Sequence, residues 1–96
     1  MSAASRGSRV IVSVLGQDRV GIIAGVSRIL AENNINILDI SQTTMQEIFT
    51  MILIADMEQS RISLAALQEK LQEFGDTMGL KIVVQHEDVF RFMHRI

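Results

Sequence analysis

The chain has 96 residues, 48% hydrophobic and 21% charged, with no proline, cysteine or tryptophan and a formal net charge of −2. That length makes one domain, and one so small buries only about two thirds of the surface its unfolded chain exposes, which favours a partner subunit. Lack of cysteine excludes disulfides and thiolate metal sites, 9 basic residues scattered among 11 acidic ones lack a nucleic-acid binder's basic footprint, and no apolar run approaches the ~20 residues that span a bilayer.

The leader, residues 1–8, has no apolar period and is expected to be disordered. It is not a basic-then-apolar signal segment, so a cytoplasmic location is expected. Residues 9–15, β-branched and bounded by glycines, predict a first strand. Ile22, Val26, Ile29 and Leu30 recur at helical spacing, and Asn33-Asn34 supply a stop, which predicts a helix over about 20–33. Residues 35–45 read as a second strand with Leu38 and Ile40 on one face and Asp39, Ser41 and Thr43 on the other.

Gln46-Glu47 marks a tight connection into residues 48–55, which are apolar at both parities. They predict a central strand covered on both faces. Ser60 or Ser63 can cap a second helix in which Leu64, Leu67, Leu71, Phe74 and Met78 step by three and four, closing at Gly75 to Gly79. Residues 80–85 predict a fourth strand. The order βαββαβ is that of a ferredoxin-like α+β two-layer sandwich, an antiparallel four-stranded sheet with two helices on one face. In the tail, Val89, Phe92, Met93 and Ile96 share one helical face, and Glu87 and Asp88 suit a helix start. A short C-terminal helix over 89–96 is expected to dock on the open sheet face or on a second subunit, with the domain itself over 9–88.

Several chemistries are excluded or weakened. Gly16 and Gly21 have the spacing of a phosphate loop, but Ile22-Ile23 follow where that loop needs Lys and Ser or Thr. A Rossmann fingerprint lacks its glycines. Metal carriage on this fold needs paired cysteines, and RNA binding needs basic and aromatic residues on the sheet, where only Phe49 lies. His86, Glu87, Asp88 and His94 have the donor types of a zinc or manganese site, but their spacing matches no closed site. Surface or packing roles are commoner for such residues. No serine has a base and an orienting acid near it in sequence. Neither an enzyme nor a cofactor is expected, with a small metal-dependent enzyme the weakest alternative.

The strand-to-helix joint remains. The free N–H groups of a helix start attract an anion with about 0.3–1 kcal/mol. Asp18, Arg19, the N–H groups around Val20, Gly21 and Ile22, and Asn36 at the second strand's start together suit a zwitterion, whose carboxylate takes N–H groups and whose ammonium takes oxygen acceptors. In a βαββαβ chain Asn36 and the loop can fall at opposite ends of the sheet, and a second subunit can then bring them together. The plainer alternative makes Asp18 a helix cap and Asn36 a turn residue, with Gly21 and Gly25 letting the helix pack tightly on its sheet.

Gly-Gln-Asp-Arg-Val-Gly-Ile at 16–22 and Asn-Ile-Asn-Ile at 34–37 resemble the ACT domain, over residues 9–88. Ile-Leu-Asp-Ile-Ser-Gln-Thr at 37–43, Gln-His-Glu-Asp-Val-Phe at 85–90 and Met-His-Arg-Ile at 93–96 resemble its small stand-alone bacterial and archaeal members. Those are similar to the two-domain glycine-cleavage repressor family. The resemblance implies a regulatory homodimer, with sheets side by side and an amino acid at the interface, held by Asp18, Arg19, Val20, Gly21, Ile22 and Asn36. Serine-sensing members carry histidine at the position of Gly16 and asparagine at that of Asp18, a departure that speaks against serine. The runner-up is a protein-interaction module regulating a metabolic enzyme or regulator without a ligand of its own.

Overall fold

The computed structural model of the chain describes residues 8–93. The expected leader up to residue 7, and the tail residues His94 and Ile96, lie outside the described residues. The elements are β1 (Arg9–Gln17), α1 (Ile22–Glu32), β2 (Asn36–Met45), β3 (Ile48–Asp56), α2 (Leu64–Met78), β4 (Leu80–His86) and α3 (Glu87–Met93). The strands form one antiparallel sheet in the order β2-β3-β1-β4. Strand β3 lies between the parallel pair β1 and β2, and β1 between β3 and β4, so α1 and α2 each cross one intervening strand in the ferredoxin-like manner.

The core is one layer deep between sheet and helices. Val10, Val12 and Val14 of β1 and Met51, Leu53 and Ala55 of β3 meet Val26 and Leu30 of α1 and Leu67 and Leu71 of α2, all buried. Each buried valine or leucine contributes about 1.5–3 kcal/mol. Ser63 caps α2 by accepting the Ala66 N–H at 3.1 Å, while Ser60 serves in a turn, accepting the N–H of Ile62. Gly79, at φ 73°, ends α2 in the left-handed region. At Gly25 a Cβ would stand 2.1 Å from Phe74 Cζ, so the glycine that permits close approach serves the contact of α1 with α2. Ser8 lies ahead of the expected domain start, yet its carbonyl accepts the N–H of Met57 at 2.8 Å.

Three expectations are corrected. The register of β2 against β3 shifts between Ile37 and Asp39, so Leu38 is an extra residue and simple alternation fails there. Ile37, opposite Ala55, and Ile40, opposite Leu53, share the helix-covered face, and Asp39 falls opposite Ile54. Strand β3 is central, but within one chain only one of its faces is covered. Phe49, Met51, Leu53 and Ala55 are buried, whereas Ile48 and Ile52 on the other face are 54% and 40% exposed. Finally, α3 packs on β1 and β4, but not by its expected face. Val89, Phe92 and Met93 point outward, and Glu87 and Phe90 face the sheet. Buried Glu87 lies 3.2 Å from Arg9 Nε of β1, an ion pair that turns this side of α3 to the sheet, while its second partner, Arg91 Nη2 at 3.1 Å, lies on α3 itself.

Candidate functional site

Strand β1 ends at Gln17, and Asp18 to Gly21 carry the chain across the top of the sheet into α1. The Asp18 N–H donates to the Glu47 carbonyl at 2.8 Å, tying the loop to the β2–β3 turn. In that turn Gln46 and Glu47 both have positive φ, 50° and 73°, conformations that side chains resist and that mark a strained site. Gly21 has φ 98° and is the N-cap of α1 without a side-chain cap. Hence the plainer reading of Asp18 as the helix cap fails. Among the described residues its carboxylate makes no hydrogen bond or ion pair. The first turn of α1 also holds no acidic residue, so among the described residues no side chain of that turn or of its N-cap answers its N–H groups.

Arg19 reaches the other way, donating from Nη1 to the Met78 carbonyl at 3.0 Å at the end of α2. Val20 is 97% exposed, while Ile22 is buried in the core and anchors the helix start. Between the two helices a groove of about 300 Å³ is lined by Val20, Gly21, Ala24, Gly25, Arg28, Phe74 and Met78. Asp18, Arg19, Val20, Gly21 and Ile22 are thus together. Asn36 is not with them: it pairs with Asp56, which pairs with Arg9 at the opposite end of β1. Eight residue steps of strand separate the ends, about 27 Å. Of the groove, Gly21 and its neighbour Val20 were singled out by sequence as site residues and Gly25 as a packing residue. Phe74 and Met78 read as ordinary core positions, and nothing in their spacing points to a groove.

Of the tail residues considered for metal, Glu87 and His86 are engaged elsewhere, and His94 lies outside the described residues. Glu87 is taken by Arg9 and Arg91, and His86 Nδ1 accepts the Asp88 N–H at 3.1 Å. No helix among the described residues is long and apolar enough to cross a membrane.

A family model for the ACT domain matches residues 8–85. The UPF0237 protein of Methanocaldococcus jannaschii is 54% identical over 93% of this chain and 99% of its own. Among solved structures, an ACT domain protein from Streptococcus pneumoniae superposes with a TM-score of 0.75 at 37% identity, covering 88% of this chain and 94% of that one. A structure provisionally described as a glycine cleavage system transcriptional repressor shares the fold, with a TM-score of 0.72 at 20% identity over 81% of this chain and 44% of the other.

Proposed function

The chain belongs to the ACT-domain family, regulatory modules for small ligands, and on that premise we propose that it binds a free amino acid at a homodimer interface as a sensing or regulatory subunit. The observation that carries this reading is the uncapped start of α1 beside the unpaired Asp18 carboxylate. One feature receives a ligand carboxylate and the other a ligand ammonium. Arg19 and the Asp18 main chain hold the loop in place without ligand, so little ordering remains to oppose binding.

Dimer geometry supplies the role of Asn36. Of the two edge strands, β4 is guarded, because Gln68 Nε2 donates to the Val84 carbonyl at 2.8 Å, whereas almost all of β2 is exposed. Two β2 edges pairing antiparallel about a two-fold near Ile40 and Ser41 set Asn36 of one copy opposite Met45 of the other. That is the end of the sheet where Glu47 holds Asp18. At Gly16 a Cβ would stand 2.6 Å from Leu80 Cδ2, so the histidine of serine-sensing members has no room without rearrangement. A ligand other than serine is favoured.

A thermal-shift panel of the common free amino acids tests the proposal. A true ligand at a hundred times its Kd adds ~2.7 kcal/mol of stability, and a panel that leaves the melting temperature unmoved refutes it. The outward apolar face of α3, with Phe92 72% exposed, favours the interaction-module reading as second choice. There only a protein partner raises the melting temperature.

A further inference from the structure

The sheet face away from α1 and α2 carries a cleft on the opposite side of the sheet from the helix groove. Its floor is two rows of cross-strand neighbours, Thr50, Leu15 and Lys81 in one and Ile52, Ser13 and Val83 in the next. Phe90 of α3 forms a wall, and the space is about 290 Å³. That is the lower end of the range of small-ligand sites, as is the pattern of a mainly apolar lining with a few polar groups. Those polar groups are unspent: among the described residues Lys81 has no ion pair, and the hydroxyls of Ser13 and Thr50 make no hydrogen bond. No acidic side chain lines the cleft.

We infer that this cleft is a second ligand site, for a small apolar carboxylate with a branched or aromatic body. The carboxylate takes the Lys81 ammonium and the Ser13 hydroxyl, and the body lies on Leu15, Ile52 and Val83 against Phe90. Charge selects this occupant over a second copy of the chain. Two copies packed face to face would bring two Lys81 ammonium groups into one apolar contact with no acid in the cleft to pair them. An ammonium-bearing ligand fits poorly for the same reason, which separates this site from the one at Asp18.

The test is an amide NMR titration of the full chain with 3-phenylpropanoate and, separately, with the uncharged 3-phenylpropanol. Saturable shifts are expected at Ser13, Leu15, Ile52, Lys81 and Val83, with the acid binding roughly fivefold more tightly than the alcohol. In Lys81→Gln the acid falls to the affinity of the alcohol while the alcohol is unaffected, and in Asp18→Ala both bind as in the wild type. The inference is overturned if acid and alcohol bind alike, if Lys81→Gln leaves the acid unchanged, or if the shifts fall at residues 18–22. It is equally overturned if the cleft amides respond only to protein concentration, because a second copy then fills the cleft.

Discussion

The Arg19 guanidinium donates to the Met78 carbonyl at 3.0 Å, joining the loop ahead of α1 to the last turn of α2. A cation thus meets the negative end of one helix dipole while the positive end of the other stays open beside it. The bond is exposed, so Arg19→Ala should cost only about 0.5 kcal/mol of stability. Its larger effect falls on ligand, because a loop released from α2 must be ordered on binding. Chemical denaturation and calorimetry on the same variant separate the two.

Asp18→Ala should leave stability unchanged, since among the described residues the carboxylate has no hydrogen-bond or ion-pair partner. Affinity for an amino acid should fall by ~1.5–3 kcal/mol, the worth of a charge-assisted hydrogen bond. Calorimetry reads the loss directly. Gly21→Val is a poorer probe, because φ 98° strains any side chain there and mixes a folding defect with a binding one.

The β2–β3 turn has two non-glycine residues at positive φ, where Asn-Gly is the favoured pair. Replacing Gln46→Asn together with Glu47→Gly should raise stability by about 1 kcal/mol, read as a higher denaturation midpoint with an unchanged slope. The Glu47 carbonyl that holds Asp18 survives the exchange, so amino-acid binding should persist.

Much of this was legible in the chain because local signals agreed. The β-branched run of β1, the leucines of α2 stepping by three and four, and the Asn33-Asn34 stop each point to one conformation, and Asn34 does adopt φ 61° at the helix end. What stayed hidden depends on partners distant in sequence. Leu38 is apolar like Ile37 before it, and its bulge follows from the pairing of β2 with β3. The rotation of α3 is set by Arg9, at the far end of the chain, so the apolar stripe of Val89, Phe92 and Met93 pointed to the wrong face. At the site, the loop was visible as a strand running into a helix and the separation of Asn36 was foreseen as one arrangement of the topology, but only the sheet register fixed that separation, and only the Gly21 N-cap showed that Asp18 does not cap the helix.

Glu87→Ala removes the carboxylate that balances Arg9 and Arg91 and leaves the partly buried Arg9 uncompensated. A cost of roughly 1–3 kcal/mol is expected, below that of a fully buried pair because Arg9 keeps some contact with water. Hydrogen exchange should show α3 opening ahead of the sheet. Unchanged protection in α3 would mean that Phe90 alone holds it.

Subunit complementation tests most directly whether an amino acid is shared between the loop of one copy and Asn36 of another. Asp18→Ala and Asn36→Ala chains are each titrated alone with the amino acid found by the panel, then mixed, unfolded, refolded together and titrated again. Each variant alone should bind weakly at every site. In the mixture, heterodimers carry one doubly damaged site and one intact site, so about a quarter of all sites should recover wild-type affinity. A mixture that binds no better than the separate variants would contradict a ligand site shared across the dimer.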